Sequence, residues 1–411
     1  MRQGLSLFRY GFVIILLIIY IYSIKFYVLP FTGKVAIALF GILWFFIDLL
    51  KGYRFLTKGN LKILVAALTL MLWGFITALL NGTDEYLYVS YVVSFFSCFF
   101  SSYVIAKLLK NKLASFEDFL LLVSVAITIE NFITIGIRIS PPIQDFFFSI
   151  QEFQTKDSTD QDFLMLQRLV GLGEAVYFGV LSSTILGLSS CGYIFLNTTS
   201  KLRKWFSLFS YFIITVVSFL IARYTLAVVI ITAFFLFLYI SKRFSPSKVI
   251  KYVTLTILIS IFIIQFLISI LPDDMYIWAL APILEHQDTQ TMGQLEEWWY
   301  NTSFSIKTFF IGDGLYTMPN GLYYMQTDVG FYRQIYYGGI IGLILMLLLH
   351  YRILKVSYSY FPTTNFKYFV VVMFLSFMAI LTKGDAQLLN DFLLVLCVIE
   401  FSNVPECQCK H

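Results

Sequence analysis

Arg138, Arg168, Arg223 and Arg333 each lie in or beside a long apolar run, and they are the residues best placed for chemistry. A guanidinium near the apolar zone of a membrane is expensive unless it is paired or lines a wet cavity, so each one calls for a cause. Arg223 interrupts the apolar stretch from Tyr211 to Ile240, which is too long for one span and just long enough for a tight helical hairpin. Its plain reading is a snorkelling anchor, an explanation that suits Arg138 at the end of a span better than Arg223. Arg168 sits in Gln167-Arg168-Leu169-Val170-Gly171, with Glu174 at the mouth of the next apolar run. A ligand contact and a weak mutual surface ion pair stand level there. Arg333 follows Asp328 and precedes Tyr336, Tyr337, Gly338, Gly339 and Gly342. Glycines so spaced let helices approach closely, and the plain reading of Asp328 is a helix cap. Lys383 and Asp385 read as a local ion pair in a tight turn, Glu130 with Asn131 as a polar contact inside a bundle, and Asp391 as a further charge beside a span. No phosphate loop, metal triad or Ser-His-Asp set can be assembled from the three histidines, His286, His350 and His411. The five cysteines, Cys98, Cys191, Cys397, Cys407 and Cys409, form no metal pattern and predict no disulfide.

The elements that must position these residues follow from composition. The chain is 59% hydrophobic, 19% aromatic and 13% charged, with positive mean hydropathy, whereas a soluble domain carries about 25% charged residues. The fold class is therefore all-α, a polytopic transmembrane bundle. Apolar runs near Phe8 to Leu29, Val35 to Leu50, Leu61 to Leu80, Leu87 to Leu108, Phe119 to Ile139, Ala175 to Leu196, Trp205 to Ile221, Tyr224 to Ile240, Val249 to Leu271, Gly330 to His350, Phe366 to Thr382 and Leu388 to Phe401 predict about twelve spans. The first reads as a retained signal anchor. Lys and Arg cluster in every second connection, as at Lys51 to Lys62, Lys107 to Lys112, Lys201 to Lys204, Lys242 to Lys251 and Arg352 to Lys367. That bias puts both termini in the cytoplasm, and it accounts for the net charge of +5 without nucleic acid. Two outer connections exceed simple turns, at 140–174 and 272–328. The second holds a candidate amphipathic helix over Gly293 to Phe310, with Leu295, Trp299, Ile306 and Phe310 on one face and a capping box at Thr291 and Gln294. Gly312-Asp313-Gly314 is turn chemistry.

Arg168-Leu169-Val170-Gly171-Leu172, Ala222-Arg223-Tyr224-Thr225, Ile311-Gly312-Asp313-Gly314 and Asp328-Val329-Gly330-Phe331 running into Tyr337-Gly338-Gly339-Ile340-Ile341-Gly342 occur in that order on this layout. Together they resemble the Wzy-type O-antigen polymerases of bacterial envelopes. The likeness in layout covers nearly the whole chain; the motifs are short, and their order carries it. The resemblance implies a multi-pass glycosyltransferase of the bacterial inner membrane with its active site facing the periplasm. Such an enzyme moves a growing glycan from undecaprenyl diphosphate onto the terminal sugar of another undecaprenyl-diphosphate-linked repeat unit. The partners implied are those lipid-linked donor and acceptor glycans, membrane lipid and a chain-length regulator protein, with no cofactor, metal or nucleic acid.

Under that resemblance Arg223 and Arg333, then Arg168 and Arg138, are expected on the diphosphate, because guanidinium groups suit its bidentate, delocalised charge. Without a metal, fixed cations would have to stabilise the departing charge. Asp328 or Glu174 is the candidate general base. Tyr224, Tyr337, Trp298 and Trp299 are expected at the substrate, with Tyr316, Tyr323 and Tyr324 offering rings to sugar faces, against the commoner role of such residues as interfacial anchors. The related O-antigen ligases share the layout but carry a functional His in the second outer loop, where this chain has only His286, far upstream of Asp328. A lipid-linked oligosaccharide flippase would need no large outer loops, and matching broken helices would mark it; the sequence shows none. A structural scaffold leaves Arg223 and Arg333 without a cause.

Overall fold

The computed structural model describes residues 2–52, 57–152, 168–176, 179–243, 303–319, 321–384 and 389–402, with isolated positions between 245 and 299. The elements are α1 (Arg2–Ile21), α2 (Gly33–Leu50), α3 (Lys58–Asn81), α4 (Leu87–Leu109), α5 (Phe116–Ile139), α6 (Pro141–Ile150), α7 (Val180–Asn197), α8 (Lys201–Ile221), α9 (Thr225–Arg243), α10 (Ile306–Phe310), α11 (Gly330–Tyr360), α12 (Thr364–Ile380) and α13 (Leu389–Phe401). Every expected apolar run except the ninth coincides with one of them. The ninth, Val249 to Leu271, falls largely outside the described residues. Eight of these helices are long and apolar enough to cross a membrane, while Tyr10–Ile21 and Thr364–Ile380 are shorter apolar helices. The chain is a multi-pass helical membrane protein.

The packing shows why a lipid solvent is required. Leu39, Phe40, Leu43, Phe46 and Leu50 on α2, and Leu61, Val65, Leu68, Leu72 and Leu79 on α3, are exposed. The three- and four-residue intervals put each set on one helix face. Such stripes are a liability in water and ordinary against lipid tails. At the centre, α13 buries every residue but Glu400 and packs on α4 and α11. The other central helix, α7, buries all but Ser182 and Asn197. Its small residues, among them Ser183, Gly187, Ser189 and Ser190, let α5, α8, α9 and α12 close around it.

The bundle has two unlike ends. At one, Lys107 pairs with Asp48 at 2.7 Å and Arg203 with Glu117 at 2.9 Å and Asp118 at 2.8 Å. There too Asn60 donates to Glu400 at 2.7 Å, and Thr57 and Tyr360 share a hydrogen bond of 3.0 Å. Ser115, Ser200 and Thr363 cap α5, α8 and α12 on this end. The expected basic connections gather here.

The other end carries the long connections. The first does not open as an extended polar loop: Pro141 and Pro142 start α6, because a first helical turn has no use for the N–H that proline lacks. The chain after α6 pairs with the α1–α2 connection, Glu152 N donating to Lys25 O at 2.8 Å and the Lys25 ammonium meeting Glu152 at 2.6 Å. In the second connection α10 is capped by Ser305, whose Oγ accepts from Thr308 N at 3.0 Å. The expected cap at Thr291 and Gln294, and Leu295, lie outside the described residues.

α11 runs to Tyr360, past the expected end at His350, and it is interrupted at Gly339, with φ 67° and ψ −175°. That conformation is open essentially to glycine alone. The break frees carbonyls that would otherwise bond within the helix, and an apolar setting demands replacements. Asp313 N donates to Tyr336 O at 2.6 Å and Gly314 N to Tyr337 O at 3.0 Å. Trp73 Nε1 donates to Gly338 O at 2.7 Å. The Gly-Asp-Gly turn is thus docked, main chain to main chain, on the outer segment of α11.

Candidate functional site

The outer segment of α11 begins at Gly330, packed against Gly384, and carries Arg333 one turn in. Phe331 N donates to Leu381 O at 3.0 Å, fixing this segment to the α12–α13 connection. Arg333 is only 6% exposed. Its guanidinium lies over the rings of Tyr323 at 3.5 Å and Tyr316 at 4.1 Å. Among the described residues no carboxylate lies within ion-pairing distance of it, and its Nε makes no hydrogen bond. The two rings therefore hold the cation by cation–π attraction, leaving its charge uncancelled. Tyr316 and Tyr323, expected as sugar platforms, serve first as this cage.

The cage is a short hairpin. Tyr324 N donates to Tyr316 O at 3.0 Å and Met318 N to Leu322 O at 2.7 Å. Glu85, in the α3–α4 connection, accepts from Tyr316 N, from Thr317 N and from the Thr317 hydroxyl. Met325 and Gln326 follow with φ of 55° and 52°, a left-handed pair that costs backbone strain in residues other than glycine. Tyr337 fixes the same connection: its hydroxyl donates to Glu85 O at 2.8 Å and accepts from Leu87 N at 2.8 Å. Fully buried, Tyr337 is a strut between α4 and α11, its hydroxyl engaged with the main chain of Glu85 and Leu87.

A line of contacts joins this segment to the other candidates. Asp328 pairs with Lys383 at 3.7 Å; Asp385, the partner expected for Lys383, lies outside the described residues. Burial pushes the Lys383 ammonium below the ordinary lysine range, and Asp328 pulls it back. Next to Lys383, Thr382 bonds the hydroxyl of Tyr224, which also donates to Ala379 O at 3.0 Å. Tyr224 thereby clasps the α8–α9 hairpin to the end of α12, with Arg223 beside it at the hairpin tip. Arg223 is partly buried, and burial lowers its pKa. Leu169 N donates to Leu220 O at 3.2 Å, laying Arg168 along the end of the same α8. The structure thus sets Arg168, Arg223, Lys383 and Arg333 at one end of the bundle through successive backbone and side-chain links.

Arg138 lies in the last turn of α5, where a cation favours the helix dipole, and Ile135 of the same helix packs with Leu169, Leu220 and Ala222. Glu174 lies in the turn after Arg168, its N donating to Tyr22 O at 2.7 Å. Trp299 is 41% exposed, its ring 4.9 Å from that of Tyr332 beside Arg333. Trp298 lies outside the described residues. Phe304 and Tyr324 pack on Tyr336 at 5.0 and 5.6 Å, extending the aromatic surface. Asp313 accepts from Thr308 Oγ1 at 2.9 Å and from the Tyr324 hydroxyl at 3.5 Å, which with burial holds that phenol above its ordinary pKa.

Sequence reasoning missed Glu85 and Lys383 as site-forming groups. The sequence signal was present in Glu85, an acid in the short connection Gly82-Thr83-Asp84-Glu85-Tyr86 between two apolar runs, but its partners lie far along the chain. The chain matches no family model, no curated protein and no solved structure.

Proposed function

We propose that this chain is a lipid-linked glycan polymerase working at its loop-bearing end. It transfers a growing glycan from undecaprenyl diphosphate to the terminal sugar of another undecaprenyl-diphosphate-linked repeat unit. The observation that carries the proposal is Arg333, a buried cation whose charge no described carboxylate cancels, caged by two tyrosines and linked to Arg168, Arg223 and Lys383. A cluster of retained cations suits a ligand of concentrated, delocalised negative charge at a membrane surface, and the neighbouring exposed Trp299 suits a sugar face.

In the reaction, the acceptor hydroxyl oxygen bonds to the donor's anomeric carbon while the bond from that carbon to the diphosphate oxygen breaks. The electron pair departs on the diphosphate, which Arg333, Arg223 and Arg168 stabilise. The hydroxyl proton goes to a carboxylate. Glu174 is the better base, since Asp328 is engaged with Lys383. Assigning the basic end of the bundle to the cytoplasm by the positive-inside rule supports a site on the periplasmic face of a bacterial inner membrane. The break in α11 does not favour a transporter, because the chain's own donors take up the freed carbonyls.

The test is the glycan ladder of a deletion strain complemented with Arg223→Ala at wild-type protein level. Single-repeat product without long chains is the expected result. Normal chain lengths would sink the assignment of Arg223, and loss of the single-repeat product as well would indicate a ligase or flippase.

A further inference from the structure

Beneath the turn that carries Arg168 and Glu174, three successive main-chain N–H groups are each held by a different part of the bundle. Leu172 N donates to Glu130 Oε1 at 3.0 Å, Gly173 N to Gln151 Oε1 at 3.0 Å, and Glu174 N to Tyr22 O at 2.7 Å. Gly171 N to Ala175 O at 3.0 Å and Ala175 N to Leu172 O at 2.9 Å close the turn on itself. Glu130 comes from the middle of α5, Gln151 from the end of α6 and Tyr22 from the end of α1, so three elements grip three successive residues.

The grip is bought with unusual groups. Glu130 is 0% and Gln151 1% exposed. Each spends its Oε1 on the turn, while Glu130 Oε2 and Gln151 Nε2 make no hydrogen bond among the described residues. A half-satisfied carboxylate and amide in an apolar bundle are costly, and what both accomplish is to present one acceptor oxygen to adjacent N–H groups. Thr134 Oγ1, donating to Glu130 Oε1 at 2.9 Å, fixes the rotamer that does this. The turn is shaped to meet them: Gly173 has φ 54°, and a Cβ on Gly171 would fall 2.5 Å from Thr134 Oγ1 and against Glu130 Oε1 itself. No side chain fits between the acceptor and the main chain it holds.

We propose that Glu130 and Gln151 are positioning residues for the site at the loop-bearing end, fixing the turn that presents Arg168 and Glu174; this rests on the polymerase reading. The turn needs from position 130 an acceptor oxygen at one place, and the amide of glutamine supplies it there as a carboxyl group does. Gln151 belongs to the same device from outside the long apolar helices, as the cap of α6, so its replacement tests the clamp without altering one of them.

The experiment pairs two readouts on full-length protein in nanodiscs, with Glu130→Gln, Glu130→Leu and Gln151→Leu compared to wild type. Backbone hydrogen exchange over 168–176 is the structural one. Elongation of lipid-diphosphate-linked repeat units is the functional one. Glu130→Leu and Gln151→Leu are expected to speed exchange in this segment and to slow elongation about tenfold or more, while Glu130→Gln keeps both near wild type. Unchanged exchange in both leucine variants overturns the clamp. A Glu130→Gln variant as damaged as Glu130→Leu also overturns it, since charge rather than acceptor geometry would then be at work. If wild-type protein elongates nothing, the polymerase reading fails by itself, and the exchange readout still decides the clamp.

Discussion

Replacing Arg333 is the perturbation whose size can be worked from the structure. The guanidinium is almost wholly desolvated and touches two aromatic rings, at 3.5 and 4.1 Å. Cation–π contacts run from about 0.5 kcal/mol when exposed to about 2 when desolvated, so the pair supplies about 2–4 kcal/mol toward holding the cation in place. Removing a preorganised charge aimed at a departing anion costs about 3–4 kcal/mol, or roughly 10²–10³-fold in rate. Arg333→Ala should therefore slow elongation by about that factor. Arg333→Lys keeps the charge but loses the planar stacking and fork, and a loss of about 2 kcal/mol corresponds to roughly 30-fold. Tyr323→Leu should cost about 1–2 kcal/mol in a wild-type background and close to nothing on top of Arg333→Ala, since both remove one interaction. The assay is the initial rate of chain growth by purified protein given lipid-diphosphate repeat units. A wild-type rate for Arg333→Ala, or losses for Arg333→Ala and Tyr323→Leu that simply add, would refute the reasoning that the cage exists to present this cation.

Two further outcomes follow from the same end of the molecule. Because burial depresses the folded-state pKa of Lys383, the unfolded chain binds more protons between that value and the ordinary lysine value of about 10.4, so stability rises with pH across the window. Asp328→Asn removes the pull that limits the depression and widens the window downward; the carboxylate is 38% exposed, so the ion pair itself is worth only about 1 kcal/mol. Thermal unfolding in detergent at neutral and alkaline pH should show a larger total rise in stability for the variant, and an equal rise would count against the pairing. Gly339→Ala forces a side chain into a glycine-only conformation against the Phe310 carbonyl; a loss of about 1–3 kcal/mol in denaturant unfolding is expected, and a neutral result would mean that the break relaxes freely.

The spans were legible in the sequence because lipid leaves the backbone no alternative to helix, so an apolar run of sufficient length has one outcome. Leu87 to Leu108 and Trp205 to Ile221 needed no tertiary information. The connection at Pro141-Pro142 read as loop, although proline is welcome in a first helical turn, and only the pairing of its far end with Lys25 and Phe26 shows why α6 forms there. The arginines could be singled out by the cost of a cation near lipid, but what each one meets could not. Tyr337 is expected at the substrate through the resemblance; the hydrogen bonds its hydroxyl makes, to Glu85 and Leu87 far along the chain, are not legible in its own motif. The same holds for Lys383, which pairs with Asp328 from the segment leading into α11, and for Glu130, whose role depends on a turn in a distant segment.

The docking of the Gly-Asp-Gly turn on α11 runs through main-chain atoms, from Asp313 and Gly314 N–H to Tyr336 and Tyr337 carbonyls. An anchorage written in the peptide backbone is indifferent to most side chains around it. The outer surface can therefore be rewritten by mutation, ring by ring and charge by charge, while its register on the membrane bundle is inherited unchanged. That separation would let a lineage change what the surface meets without solving its fold again.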